Sequence, residues 1–226
     1  MNSKETYIVL FLIAISLFGV FLFKYNTQKN SAPSSSVDQL PAQDNVFRDQ
    51  NISEISVASK NGFGVPLDRT SEKITKKPFG IYITPATSPV QPEKFQGYHA
   101  GTDFEIFPEE LNINVPVKAV CSGKLLLKEY ASGYGGVAVE SCELNGNPIT
   151  VIYGHLKLAS ITSKIDGNLN AGDTIGILGR DKSIETDGER KHLHLGFHKG
   201  TAINIKGYVA SQSELSGWID PCLYVC

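Results

Sequence analysis

"RKHLHLGFHKG", residues Arg190 to Gly200, is the stretch on which the reading of the chain turns. His192, His194 and His198 fall at every second position or its multiple, and they are three of only five histidines. In a β-strand successive side chains point to opposite faces, so His192 and His194 emerge on one side with their backbones about 6.6 Å apart. Two imidazoles so placed either converge on a metal or divide into a ligand and a proton carrier. An isolated His-x-His is also what a polar, solvent-facing edge strand can carry. The rest of the chain decides between these readings.

Beyond Phe79 the same kind of short extended run recurs, broken by glycine and asparagine turns. "VPVKAVC" leads into "GKLLLKEY", and "ASGYGG" turns the chain into "GVAVESCEL". "NGNP", Asn145 to Pro148, is a hairpin signal ahead of "ITVIYGHL"; "TIGILG" and "KHLHLGFH" complete the set. No helix-length periodic run appears among them. This predicts an all-β domain of packed antiparallel sheets. In the hairpin centred near Gly133, Cys121 and Cys142 lie at nearly matched distances from the turn, which predicts a Cys121–Cys142 disulfide. The other two cysteines are Cys222 and Cys226, and neither C-x-x-C nor a zinc-ribbon spacing is present.

The chain has 226 residues, 41% of them hydrophobic, enough for one good-sized core with appendages. A formal net charge of -2 without basic runs gives nucleic-acid binding no electrostatic support. "YIVLFLIAISLFGVFLF", Tyr7 to Phe23, carries no charge and is near the lower limit for spanning a bilayer. Bulky Phe21, Leu22 and Phe23 end it without a small-x-small cleavage pattern, which predicts an uncleaved transmembrane signal anchor at 7–23 after a cytoplasmic stretch at 1–6. If the segment were cleaved, the domain would be secreted. From residue 24 to 77 the chain is rich in polar residues, and it is expected to be a flexible linker, reaching on the order of 40 Å. Within it Phe47 to Arg69 carries some apolar residues, and the sequence does not decide whether that part packs on the domain or shades its cleft. The globular domain is expected over 78–226, outside the cytoplasmic membrane, where disulfides are permissible.

His99, Asp103, His155, His192 and His194 are the residues that could carry chemistry. "HAGTD" puts His99 and Asp103 four apart, about 13 Å on a straight strand, and Gly101 between them permits a bend. Three strand segments, "GYHAGTDF", "VIYGHL" and "KHLHLGF", each present histidine in an otherwise apolar frame. A hydrolytic zinc site needs three protein ligands, one open position, a proton acceptor and donor, and a group to steady a developing oxyanion. Four histidines and one aspartate supply that inventory.

In this order the motifs resemble those of the lysostaphin/LytM-type zinc endopeptidases, which cut peptide bonds in bacterial peptidoglycan. "FGIYITP" resembles the opening strand, "HAGTD" the H-x-G-x-D pair, "HLH" the closing motif and "IDPCLYV" the terminal D/N-P segment, with "VPVKAVCSGKL", "GYGGVAVE", "VIYGHL" and "AGDTIGILG" between them. The resemblance covers about Phe79 to Val225. It implies a lysostaphin-like (duplicated hybrid motif) fold, one Zn2+ ion held by His99, Asp103 and His194, and catalytic roles for His155 and His192 beside the open position. The implied partners are a peptidoglycan peptide as substrate and the membrane through the N-terminal segment. His198 matches no functional position and is expected to be an exposed bystander. A non-catalytic peptidoglycan-binding or regulatory module on the same fold is the alternative; a cytoplasmic phosphocarrier, which also uses paired histidines, is disfavoured by the export segment. "EIFPEELNIN" and "RDKSIETDGER" are longer than the family's connections and are expected near the cleft rim; Tyr98 and Tyr134 are candidates to line the groove, though tyrosines at strand ends more often simply pack there.

Overall fold

The computed structural model of the chain describes residues 62–73 and 75–226. The expected cytoplasmic stretch, the signal anchor at 7–23 and most of the linker lie outside these residues. Among the described residues no helix is long and apolar enough to cross a membrane.

The strands are short and numerous. They are β1 (Tyr82–Ile83), β2 (Gly97–His99), β3 (Thr102–Glu105), β4 (Pro116–Lys118), β5 (Gly123–Ala131) and β6 (Gly135–Leu144). There follow β7 (Asn147–Leu156), β8 (Asn168–Leu169), β9 (Thr174–Ile177), β10 (His192–Lys199), β11 (Tyr208–Val209) and β12 (Trp218–Ile219). Among the described residues the α-helices are two single turns, α1 (Gln212–Leu215) and α2 (Cys222–Val225). The expected antiparallel β class is what the described residues adopt: every strand pairing among them is antiparallel.

A seven-stranded sheet runs β12-β10-β7-β6-β5-β8, with β3 also paired to β10. β10 is its organising strand. It pairs with β7 on one edge, and on the other with β3 near its start and β12 near its end. Leu193, Leu195 and Phe197 enter the main core, while His192 and His194 occupy the opposite face, as period 2 requires. The opposite face is also covered. Val137, Val139 and Ile152 join Tyr134 and Trp218 in a second cluster, and Ala138, Val151 and Tyr153 belong to the first. Sandwiching explains why β6 and β7 read as nearly continuous apolar runs. A three-stranded sheet, β1-β2-β11, and the pair β4-β9 complete the architecture.

The β6–β7 hairpin closes through Asn145 and Gly146, both at positive φ (53° and 75°), between the paired residues Leu144 and Asn147. A two-residue turn with both centres left-handed matches the twist of the strands it joins. Cys121 and Cys142 are bonded, with Cα atoms 6.0 Å apart, as the hairpin arithmetic anticipated. Cys222 and Cys226 form a second disulfide across α2.

The packed chain begins ahead of the expected domain start at residue 78. Phe63 and Leu67 are in the main core, and Gly64 N–H donates to the Val120 carbonyl. Their few apolar side chains are sparse in sequence, but they meet a ready-made apolar surface that includes Phe197 and Tyr224. Residues 62–73 are therefore part of the domain rather than of a polar tether.

Candidate metal centre and active-site cleft

The five residues singled out in sequence come together. β2 delivers His99, β3 delivers Asp103, and β10 delivers His192 and His194, with His194 directly opposite Asp103 in the β3–β10 register. His99 Nε2, Asp103 Oδ1 and His194 Nδ1 converge: Nε2 to Nδ1 is 3.0 Å, Nε2 to Oδ1 is 3.2 Å and Nδ1 to Oδ1 is 3.1 Å. All three side chains are buried. They form a group that could hold a metal ion.

Second contacts orient the rings. His99 Nδ1–H donates to the Pro78 carbonyl at 3.2 Å, which leaves Nε2 with its lone pair facing the group. His192 Nδ1–H donates to the Arg190 carbonyl at 2.8 Å, and its Nε2 lies 3.3 Å from Asp103 Oδ2. Burial pushes the Asp103 carboxyl up, but the charges of His99 and His192 and the hydrogen bonds from His192 and His194 outweigh it and hold it well below the usual range. Burial lowers the His194 imidazole to about 4, against the pull of Asp103, so it is neutral at pH 7. Ionised carboxylate and neutral imidazoles are the forms that bind a metal.

His155 arrives by a different device. Gly136 pairs with Leu156 and Val137 with Gly154, so His155 is the extra residue of a β-bulge and sits at φ 63°. The left-handed conformation is unfavourable for a non-glycine residue, and bulges of this kind re-aim a side chain. The bulge brings His155 face to face with His192, ring centroids 4.1 Å apart. Its Nδ1 is buried with no hydrogen-bond partner among the described residues. Burial first, and His192 beside it second, hold His155 well below the ordinary histidine range.

The site lies in a cleft of about 360 Å³ walled by Phe95, Tyr134, Ile205 and Tyr208, with His155, His192 and His194 exposed to it. Tyr134 packs its ring 5.4 Å from His155 and 5.3 Å from His194, and its buried hydroxyl has no hydrogen-bond partner among the described residues. Tyr208 stands 5.1 Å from the His99 ring, and its hydroxyl accepts from Lys77 Nζ at 3.0 Å. Burial raises the pKa of both phenols, so both remain protonated.

The chain bends at Ala100 and Gly101 between β2 and β3, as expected, and Gly101 also serves the site by space. A Cβ there would stand 2.5 Å from the Leu195 carbonyl oxygen and 2.7 Å from the His194 ring. Of the two long segments, 180–190 reaches the rim, where Asp187 accepts from Gly133 N–H and Tyr130 Oη at 2.7 Å each. The other turns away from the cleft: Lys191 Nζ donates to the carbonyls of Glu110 and Ile113 at 2.8 and 2.6 Å and ties it to the far face of β10. His198 is half-buried against Trp218 at 4.8 Å rather than exposed, because β12 covers the end of β10.

Several contributors were missed in sequence. Arg190 bridges Asp103 and Glu105, whose charges overcome burial and raise its pKa. Tyr208, a lone tyrosine distant from every motif, carried no signal. Of the two tyrosines that the sequence offered as groove-lining, Tyr134 does line the cleft, whereas Tyr98 packs on Tyr82 with ring centroids 4.9 Å apart.

Fold and site together define an antiparallel β domain with a His–Asp–His group at the floor of a cleft. Residues 97–205 match the profile of Peptidase family M23. No curated protein matches the chain. Among solved structures, it is similar to the catalytic domain of the antimicrobial peptidase lysostaphin from Staphylococcus simulans, at 22% identity over 70% of this chain and 95% of that one (TM-score 0.47). It is also similar to a zinc-containing peptidase from Vibrio cholerae, at 22% identity over 61% of this chain and 37% of that one (TM-score 0.44).

Proposed function

We propose that the chain is a zinc-dependent endopeptidase that hydrolyses peptide bonds in the stem or cross-bridge peptides of peptidoglycan. The observation that carries this reading is the convergence of His99 Nε2, Asp103 Oδ1 and His194 Nδ1 beside two further histidines. The donor set suits zinc. One proton can bridge only two of three converging acceptors, whereas a divalent cation satisfies all three. Their separations of 3.0 to 3.2 Å are close to the edge of about 3.3 Å in a tetrahedron with bonds of about 2.0 Å.

A bound zinc ion supplies a Lewis acid that polarises a peptide carbonyl and brings the pKa of a bound water towards neutrality. The remaining work falls to this chain. His155, held neutral, is suited to accept a proton at the cleft. His192, with Nδ1–H fixed on a carbonyl and Nε2 against Asp103 Oδ2, is suited to hold one and return it to a leaving amine. Phe95 and Tyr134 narrow the cleft around the reacting bond.

The substrate is proposed from the ordered motifs, which resemble peptidoglycan endopeptidases, and from the match to a peptidase family. The uncharged run at 7–23 and the two disulfides support an anchored domain outside the cytoplasmic membrane, N-terminus inside. The test is to incubate the full chain with purified sacculi, with and without a chelator, and to identify released fragments by mass spectrometry. New amine and carboxyl ends that disappear with chelator are expected, and their positions name the bond. Zinc binding without any release would instead favour a wall-binding module.

A further inference from the structure

Arg190 closes the charged segment ahead of β10, and its guanidinium is nearly buried, the side chain 13% exposed. It is held between two carboxylates. Nη2 donates to Asp103 Oδ2 at 3.0 Å and to Glu105 Oε1 at 2.6 Å, while Nε lies 3.1 Å from both Glu105 oxygens. The two oxygens of Asp103 therefore have different surroundings. Oδ1 faces His99 and His194; Oδ2 faces Arg190 and His192.

We propose that Arg190 is a positioning residue that pins Asp103 through Oδ2, so that the aspartate offers a metal only Oδ1, with Glu105 as the counter-charge. The inference rests on the metal reading above. The terminal torsion of an aspartate is broad and nearly two-fold, so an unpinned carboxylate swings readily between one-oxygen and two-oxygen binding. A second bond would occupy the position that a hydrolytic site keeps open for water. Arg190 alone would also neutralise Asp103 and weaken its pull on a cation. Glu105 offsets this: the three groups together carry one negative charge, the same as a lone aspartate. The planar fork of arginine can reach both carboxylates at once; a lysine ammonium, a point donor, cannot hold both in plane.

The experiment uses full-length, metal-stripped protein and two probes: zinc affinity by competition with a chromophoric chelator, and the visible spectrum of the cobalt(II) form. Arg190→Gln is expected to weaken the cobalt bands, as the freed carboxylate takes a second bond, and to lower the zinc Kd by more than about twofold, because the group's charge goes from one negative to two. Arg190→Lys should fall between it and the unaltered protein. Glu105→Gln leaves the arginine charge uncompensated, so the Kd should rise while the cobalt spectrum holds. An Arg190→Gln protein with zinc affinity within about twofold of the original and an unchanged cobalt spectrum would reduce Arg190 to a structural ion pair and overturn the proposal. If that variant does not fold, unchanged affinity in both Glu105→Gln and Arg190→Lys overturns it equally. Failure of the unaltered chain to take up either metal overturns the metal reading itself, and this inference with it.

Discussion

At the scale of the residue, the five histidine and aspartate positions divide into two groups with different expected losses. His194 contributes one of three converging donors and stands opposite Asp103 in the sheet. His194→Ala should abolish both zinc retention, measured by mass spectrometry of the metal, and release of fragments from sacculi. His155 touches none of the three donor atoms as a hydrogen-bond partner, and the proposed function gives it only a proton to move. His155→Ala should keep its zinc and lose about 10²- to 10⁴-fold in rate; a variant that comes off the column without metal would overturn this division of roles. These residues were legible in sequence because their chemistry is written in their type and because each sits in a short quoted motif. Arg190 and Tyr208 were not, since what they do depends on partners 87 residues away, in the case of Arg190 and Asp103, or on a cleft that only the fold assembles.

At the scale of the element, the strands are explained by alternation and their joints by backbone conformation. β10 was readable from HLHLGFH alone, because a half-turn per residue sends histidines one way and Leu193, Leu195 and Phe197 the other. The bulge at His155 was not readable: VIYGHL looks like an unbroken strand, and only pairing with β6 shows one residue too many. Gly101 was marked for the bend that the chain makes between β2 and β3, and the structure adds a steric reason for glycine there. It is required by the closeness of β10, so Gly101→Ala should destabilise the domain by about 1–3 kcal/mol in urea titration and lower zinc affinity as His194 is displaced. At Gly146 nothing crowds a new Cβ, yet φ is 75°. Gly146→Ala should therefore cost only the conformational strain, about 1 kcal/mol, with zinc affinity unchanged. Equal effects of the two substitutions on zinc would contradict the distinction.

At the scale of the whole molecule, Glu140 is the group most exposed to pH. It is fully buried beside Tyr153, whose hydroxyl donates to Oε2 at 2.6 Å, and burial lifts its carboxyl to about 8. The folded state therefore keeps a proton that the unfolded chain releases near 4.5. Stability from this group is full below pH 4.5 and is lost as pH rises through about 8. Glu140→Gln should flatten that decline in denaturation curves taken from pH 5 to 9; an unchanged slope would show that Glu140 ionises normally. Reduction of Cys121–Cys142, which closes a 21-residue separation, should lower stability by about 3 kcal/mol, whereas Cys222–Cys226 constrains only one turn and should matter less. By itself the sequence determined the all-β class, the hairpin at Asn145–Gly146, one disulfide and the identity of the five chemical residues, because periodicity, turn chemistry and residue type are local properties. Tertiary structure alone decided that residues 62–73 belong to the core, that β6 and β7 are covered on both faces, and that His155 is re-aimed by a bulge. It also decided which oxygen of Asp103 faces the histidines and which faces Arg190, because each of these depends on contacts between segments that no local pattern relates.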